Sequence, residues 1–334
     1  MVTLTFNTLE FRFPEIHPKA ECSIEFHRTL RVPDDDCEYP QPPGFGNFPL
    51  FHVEDYPETT PQVWQDRGGL FMPMYQAEAL WIGFSGRNYP CAVKIAAGKI
   101  NAITGEPWSN ALSANPQDYI VTPGQPWLDG FSVGKGLIRQ FVAMPLGGGF
   151  TAEEQITGKA EYGGLQICIY PMKREKYDEL HPPQVKEDQA SGGRPLFSRR
   201  SRLHDRAMGI APGGMLRQEV YEDEYGIDAW DTDAMSRCFV HLANSEQFLS
   251  ITGHIPPTKP LTAEEYAAEG LPWFDYYTGD NRALQGAKTL AGLDSVAVRM
   301  MKFGKKLFKK EKPVSPTRVV LIKQNDQIEV GRCQ

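Results

Sequence analysis

Seven carboxylates crowd residues 219–233, EVYEDEYGIDAWDTD: Glu219, Glu222, Asp223, Glu224, Asp228, Asp231 and Asp233. Hard cations such as Ca²⁺ or Mg²⁺ take oxygen ligands clustered in a loop. Asp228, Asp231 and Asp233, flanking Trp230, are therefore the expected ligands of a divalent cation. The calcium-loop spacing, DxDxDG with a distant Glu, is not met, and a solvated acidic turn explains the same residues. His241, in the apolar run Cys238–Leu242, could act as a general base beside that turn, as in a metal-assisted hydrolase. The alternative is a hydrogen-bonded core histidine.

Other constellations are weaker. A strand candidate runs into Gly147-Gly148-Gly149, and Thr151 with Glu154 has the spacing of a capping box. A glycine turn before a helix offers backbone N–H groups to phosphate. No Gly-Lys-Ser/Thr follows it, and Glu153 and Glu154 would repel an anion there. His204-Asp205 is a bare dipeptide, and no HExxH or GxSxG occurs. The cysteines (Cys22, Cys37, Cys91, Cys168, Cys238, Cys333) contain no CxxC pair and read as reduced thiols. Trp127, and Trp273 to Tyr277, would either line a pocket or close a core.

The segment 293–312, LDSVAVRMMKFGKKLFKKEK, carries a different message. Wound as a helix at about 100° per residue, it gathers its apolar residues into an arc of about 160°. Met300, Phe303, Leu307 and Phe308 lie there, while Lys302, Lys305, Lys306, Lys309 and Lys310 fill the opposite side. Apolar and cationic faces together suit an anionic lipid surface or a groove on a partner protein. A helix covering its own domain has the same pattern, and Gly304 weakens its centre. Arg299 to Lys312 holds seven cations against Glu311, a local +6, which leaves −13 for the rest of a chain of net charge −7. An acidic body with one basic stripe is not the broad basic footprint of a nucleic-acid binder.

These residues sit on a chain of 334 residues, 41% apolar and 23% charged, within the globular range. Gly and Pro, 31 and 27, predict many turns and few long helices. The N-terminus alternates polar and apolar residues unlike a signal peptide, and no stretch reaches the length of a membrane span. The cytoplasm is the expected location, with peripheral membrane association through the basic helix. Alternation predicts strands over 2–13 and 21–32, and buried strands over 80–84 and 92–95, with a hairpin turn at 96–98. Further strands are expected at 119–122, 136–144, 165–170, 215–221 and 238–242. Thr262 and Glu265 announce a capped helix ending at Gly270, and 318–322 with 328–330 reads as a hairpin. The recurring triplet Ile-Thr-Gly at 103, 156 and 251 is irregularly spaced and reads as strand ends. The expected class is α+β: β-rich, mostly antiparallel strands, a few short helices and one C-terminal amphipathic helix. The expected division is a body, 1–290, with a long loop near 181–205, and a segment 291–334 holding the basic helix and terminal hairpin.

The stretches RTLRVPDDD, GGLFMPMYQAEALW, VKIAAGKINAITGEPW, QPWLDG, RQFVAMPLGGGFTAEEQITG and GLPWFDYY resemble those of a family of microbial proteins without an assigned activity. The resemblance runs over most of 28–277 and implies a common body with the helix as an appendage. It implies no activity and transfers no catalytic residue. From the residues, the expected function is a non-catalytic binding or scaffold protein working through the basic helix. The alternative is the metal-assisted hydrolase built on 219–233.

Overall fold

Strict alternation and unbroken burial divide the strands into two kinds. In Glu21–Thr29 every second side chain is buried, so one face meets the core and the other meets solvent or cover. In Cys91–Ala97 and Leu165–Pro171 every residue is buried, which requires cover on both faces. The computed structural model describes residues 1–35, 37–86, 88–181, 207–277, 282–305, 314, 316, 318–323 and 328–331.

A front layer runs Thr8–Arg12, Glu21–Thr29, Ala79–Ser85, Leu137–Pro145 and Met208–Arg217, each antiparallel to the next. A back layer places Ser236–Ala243, Leu165–Pro171, Cys91–Ala97 and Ile120–Thr122 side by side, also antiparallel. Leu70–Pro73 joins that layer parallel to Ser236–Ala243. The layers connect where Met208 pairs with Leu242. Ile24, Phe26, Ile82 and Phe141 from the front share one core with Val93, Ile95, Ile167 and Val240 from the back, the packing of a β-sandwich.

Short helices cap the outer faces. Ala152–Thr157 and Ala263–Ala268 both begin at the expected capping boxes. Two of the Ile-Thr-Gly triplets are helix stops, not strand ends: Gly158 and Gly253 hold left-handed backbone after Ala152–Thr157 and Ser245–Thr252. The strand expected at 215–221 lies at Met208–Arg217, with Pro212, Gly213 and Gly214 inside it and a register shift opposite Arg139. Val319–Lys323 and Ile328–Gly331 form the terminal hairpin, and Trp273–Tyr277 adds a parallel third strand.

The basic segment is interrupted inside its predicted span. Its helix spans Val296–Lys302 and stops because Gly304 turns left-handed, at φ +62°. Gly304 N–H donates to Met301 O and Lys305 N–H to Met300 O, closing a Schellman motif. Lys306, Leu307, Phe308, Lys309 and Lys310 lie outside the described residues, as do His204-Asp205 and nearly all of the loop expected near 181–205. No described helix is long and apolar enough to cross a membrane.

Candidate functional site

Buried amide side chains, where a core would ordinarily hold apolar ones, tie together the segments around a cleft. Asn101, 1% exposed, accepts from Ile103 N–H and Thr104 N–H at 2.8 and 3.0 Å and donates to Asp118 O at 2.7 Å. Gln117 donates to Tyr119 O and Tyr221 O and accepts from Asp223 N–H at 2.8 Å. Gln125 repeats the pattern one strand further on, donating to Trp127 O and Glu219 O and accepting from Tyr221 N–H. These amides replace a strand ladder, because each satisfies backbone groups on two segments at once. The acidic run is thereby fixed beside the loop 104–118.

That loop has its own anchor. The Lys94 ammonium, 1% exposed, lies 2.5 Å from an Asp118 carboxylate oxygen and donates to Ala111 O. The Tyr170 hydroxyl donates to Asn110 O nearby. A buried lysine in the middle of Cys91–Ala97 therefore carries its counter-ion and a carbonyl with it, which is the condition for burying a charge.

Between the loop, the acidic run and residues 284–289 opens a cleft of about 610 Å³. Small-molecule sites span roughly 300–1,000 Å³. Ile103, Pro116, Ile227 and Leu284 supply apolar wall, while Asn115, Glu222, Gln285 and Lys288 are polar groups around it. Asp223 lies deeper and its oxygens are committed: to Tyr119 hydroxyl at 2.6 Å, Trp230 Nε1–H at 2.9 Å and Tyr225 N–H at 2.8 Å. Burial, and then the bond to Asp223, push the Tyr119 phenol well above its ordinary range. Burial, and then Glu224, push Tyr225 up to about 12. Both phenols stay protonated at neutral pH.

The expected metal ligands are not gathered here. Asp231 accepts from Asp233 N–H and Ala234 N–H, closing a local turn, while Asp228 and Asp233 are exposed. Among the described residues, no three His, Cys, Asp or Glu side chains are grouped to hold a metal ion. His241 is a core histidine, 3% exposed, stacked on Trp64 at 4.8 Å and bonded through Nε2 to Gly68 O. Burial drives its pKa down to about 4, so it is neutral at physiological pH. Nε2 must donate, since the carbonyl only accepts.

The glycine turn is also occupied from within. Glu154 accepts from Gly149 N–H at 2.8 Å and from Thr151 N–H, using groups an anion would need. Phe303 sits over Gly149, where an added Cβ would come within 3.0 Å of its ring. The turn is thus a seat for the C-terminal helix. Of the expected contact face, Met300 is buried with Val296 against Val142 and Met144. Phe303 is 44% exposed. Lys302 pairs with Asp294 at 2.7 Å, and Lys305 lies over the Phe150 and Phe303 rings. Trp273 belongs to the core, and Trp127 meets Trp81 edge-on.

Sequence reasoning marked one wall of the cleft through the acidic run but missed Asn101, Gln117 and Lys94. A lysine inside an otherwise apolar strand run was the one available signal. No protein-family model matches the chain, and no curated protein or solved structure matches it.

Proposed function

We propose that this chain is a non-catalytic binding protein that holds a small polar molecule in the cleft between residues 103–119, 222–227 and 284–289. The observation that carries this reading is the cleft itself: ligand-sized, mixed in polarity, with walls fixed by buried amides. Preformed walls spare a ligand the entropy of ordering them. Asp223 and Tyr119 in the lining are hydrogen-bonded to each other at 2.6 Å, a fixed polar wall that supports binding.

A thermal-shift screen of polar metabolites against the wild type and Ala114→Trp tests it, because Ala114 is an exposed lining residue and indole there fills the mouth. A ligand that raises the Tm of the wild type and not of the variant supports the reading. Ligands that shift both equally, or none at all, contradict it.

A second reading is contact with an anionic membrane surface or a partner protein. Met301 and Phe303, 59% and 44% exposed, lie beside Lys302 and Lys305 and favour it. Flotation with anionic vesicles at low salt, lost in Met301→Asp, would support that contact. Absence of flotation would remove the lipid surface.

A further inference from the structure

Opposite charges line the cleft without meeting. Glu222 comes from the acidic run and Lys288 from the segment 284–289, so they stand on different walls of the same cavity. Both side chains are exposed, and among the described residues neither forms an ion pair. The backbone beneath each is anchored. Glu222 N–H donates to Arg282 O at 2.8 Å, and Leu284 N–H donates to Val220 O at 2.7 Å. Ala287 N–H donates to Ser132 O at 2.9 Å, and Leu290, fully buried, seats the short helix that Lys288 opens. Asp223, the other lining carboxylate, already accepts from Tyr119, Trp230 and Tyr225, so Glu222 is the one open to a ligand.

This pair restricts what the cleft can hold. A charged group that leaves water must meet its opposite to recover the cost. A simple amine would find Glu222 but face the Lys288 ammonium, and a simple carboxylate would find Lys288 but face Glu222. A molecule carrying both charges satisfies both walls at once. Ile103, Pro116, Ile227 and Leu284 add apolar surface to the same lining. Resting on the cleft reading above, we propose that the ligand is a zwitterion of the amino-acid type. Glu222 receives its ammonium, Lys288 receives its carboxylate, and an apolar side chain packs on Ile103, Pro116, Ile227 and Leu284.

Isothermal titration calorimetry of the full chain with L-leucine and L-phenylalanine tests this, beside half-molecules that keep one charge each. These are isoamylamine and isocaproate for leucine, and phenethylamine and phenylpropionate for phenylalanine. The expected result is binding of at least one amino acid, with both of its halves about tenfold weaker or worse. Glu222→Gln and Lys288→Gln change exposed side chains, and each should weaken the amino acid about tenfold. The two should act oppositely on the halves: Lys288→Gln should strengthen the amine, and Glu222→Gln the carboxylate. Ala114→Trp should abolish all binding. A half-molecule that binds as tightly as its amino acid, and is blocked by Ala114→Trp, would overturn the zwitterion and leave the cleft reading standing. Amino-acid binding that Ala114→Trp does not reduce would contradict both. No heat of binding with any of these compounds would overturn the zwitterion, while the wider metabolite screen judges the cleft separately.

Discussion

The cleft and the C-terminal helix are held to the same sandwich by opposite means. At the cleft, Asn101, Gln117 and Gln125 bind backbone groups across segments, and Lys94 clamps Asp118. At the helix, Val296, Ala297 and Met300 are buried, and Val296 and Met300 fill a face made of Ala77, Ala79, Val142 and Ala211. Polar contacts there are few and lie at the helix start: Asp34 accepts from Ala297 N–H at 2.7 Å, and Gln155 exchanges two bonds with the Asp294 backbone. Directional bonds fix where atoms are, whereas apolar burial is proportional to area and tolerates adjustment. A wall that must present groups to a ligand is built the first way, and a cover is built the second.

The sharpest way to break the comparison is at Lys94. Lys94→Met leaves Asp118 buried without its partner, and should cost about 3–5 kcal/mol by urea unfolding. A loss below about 1 kcal/mol would mean that the loop is held by something else. Next comes Met300→Ala, expected to cost about 2–4 kcal/mol as a cavity opens under the helix. Cleft ligand binding should survive that change, which separates the two regions. Gln117→Leu should cost less overall, about 1–3 kcal/mol, since it strands the Tyr221 carbonyl and the Asp223 N–H. It should nevertheless abolish ligand-induced stabilisation that Met300→Ala leaves intact.

A further effect is set by pH. Asp129 is 2% exposed, and burial raises its pKa to about 7 from 3.8. The folded chain thus keeps a proton that the unfolded chain has already lost. Its contribution is fully present below about pH 4 and falls as pH rises, with the fall complete above about pH 7. Urea midpoints of wild type and Asp129→Asn should therefore diverge between pH 5 and pH 8, with the variant gaining relative to wild type. His241 titrates in both proteins, so the difference isolates Asp129. Parallel pH profiles would show that Asp129 titrates normally.

Much of the framework was legible because it is local. Period-two alternation marked Glu21–Thr29, and Thr-x-x-Glu marked both capped helices. Met208–Arg217 was misread because Pro212, Gly213 and Gly214 interrupt its middle, where pairing to Leu137–Pro145 overrides their weak strand preference. The basic segment read as one continuous helix because a periodic hydrophobic count does not foresee the left-handed backbone at Gly304. The cleft was least legible. Gln117 meets Tyr221 across 104 residues, and nothing in a lone glutamine announces such a partner. His241 and the glycine turn suggested chemistry by residue type, and only their neighbours reveal Gly68 O and Glu154 as occupants.

Hydrogen exchange of the full chain, read at both regions with and without a ligand found by screening, tests the central claim most directly. The expected result is slowed exchange at 103–105, 114–119 and 222–227, with 296–302 unchanged. Protection confined to the Val296–Lys302 helix, with the cleft amides unaffected, would contradict it and move binding to the basic helix.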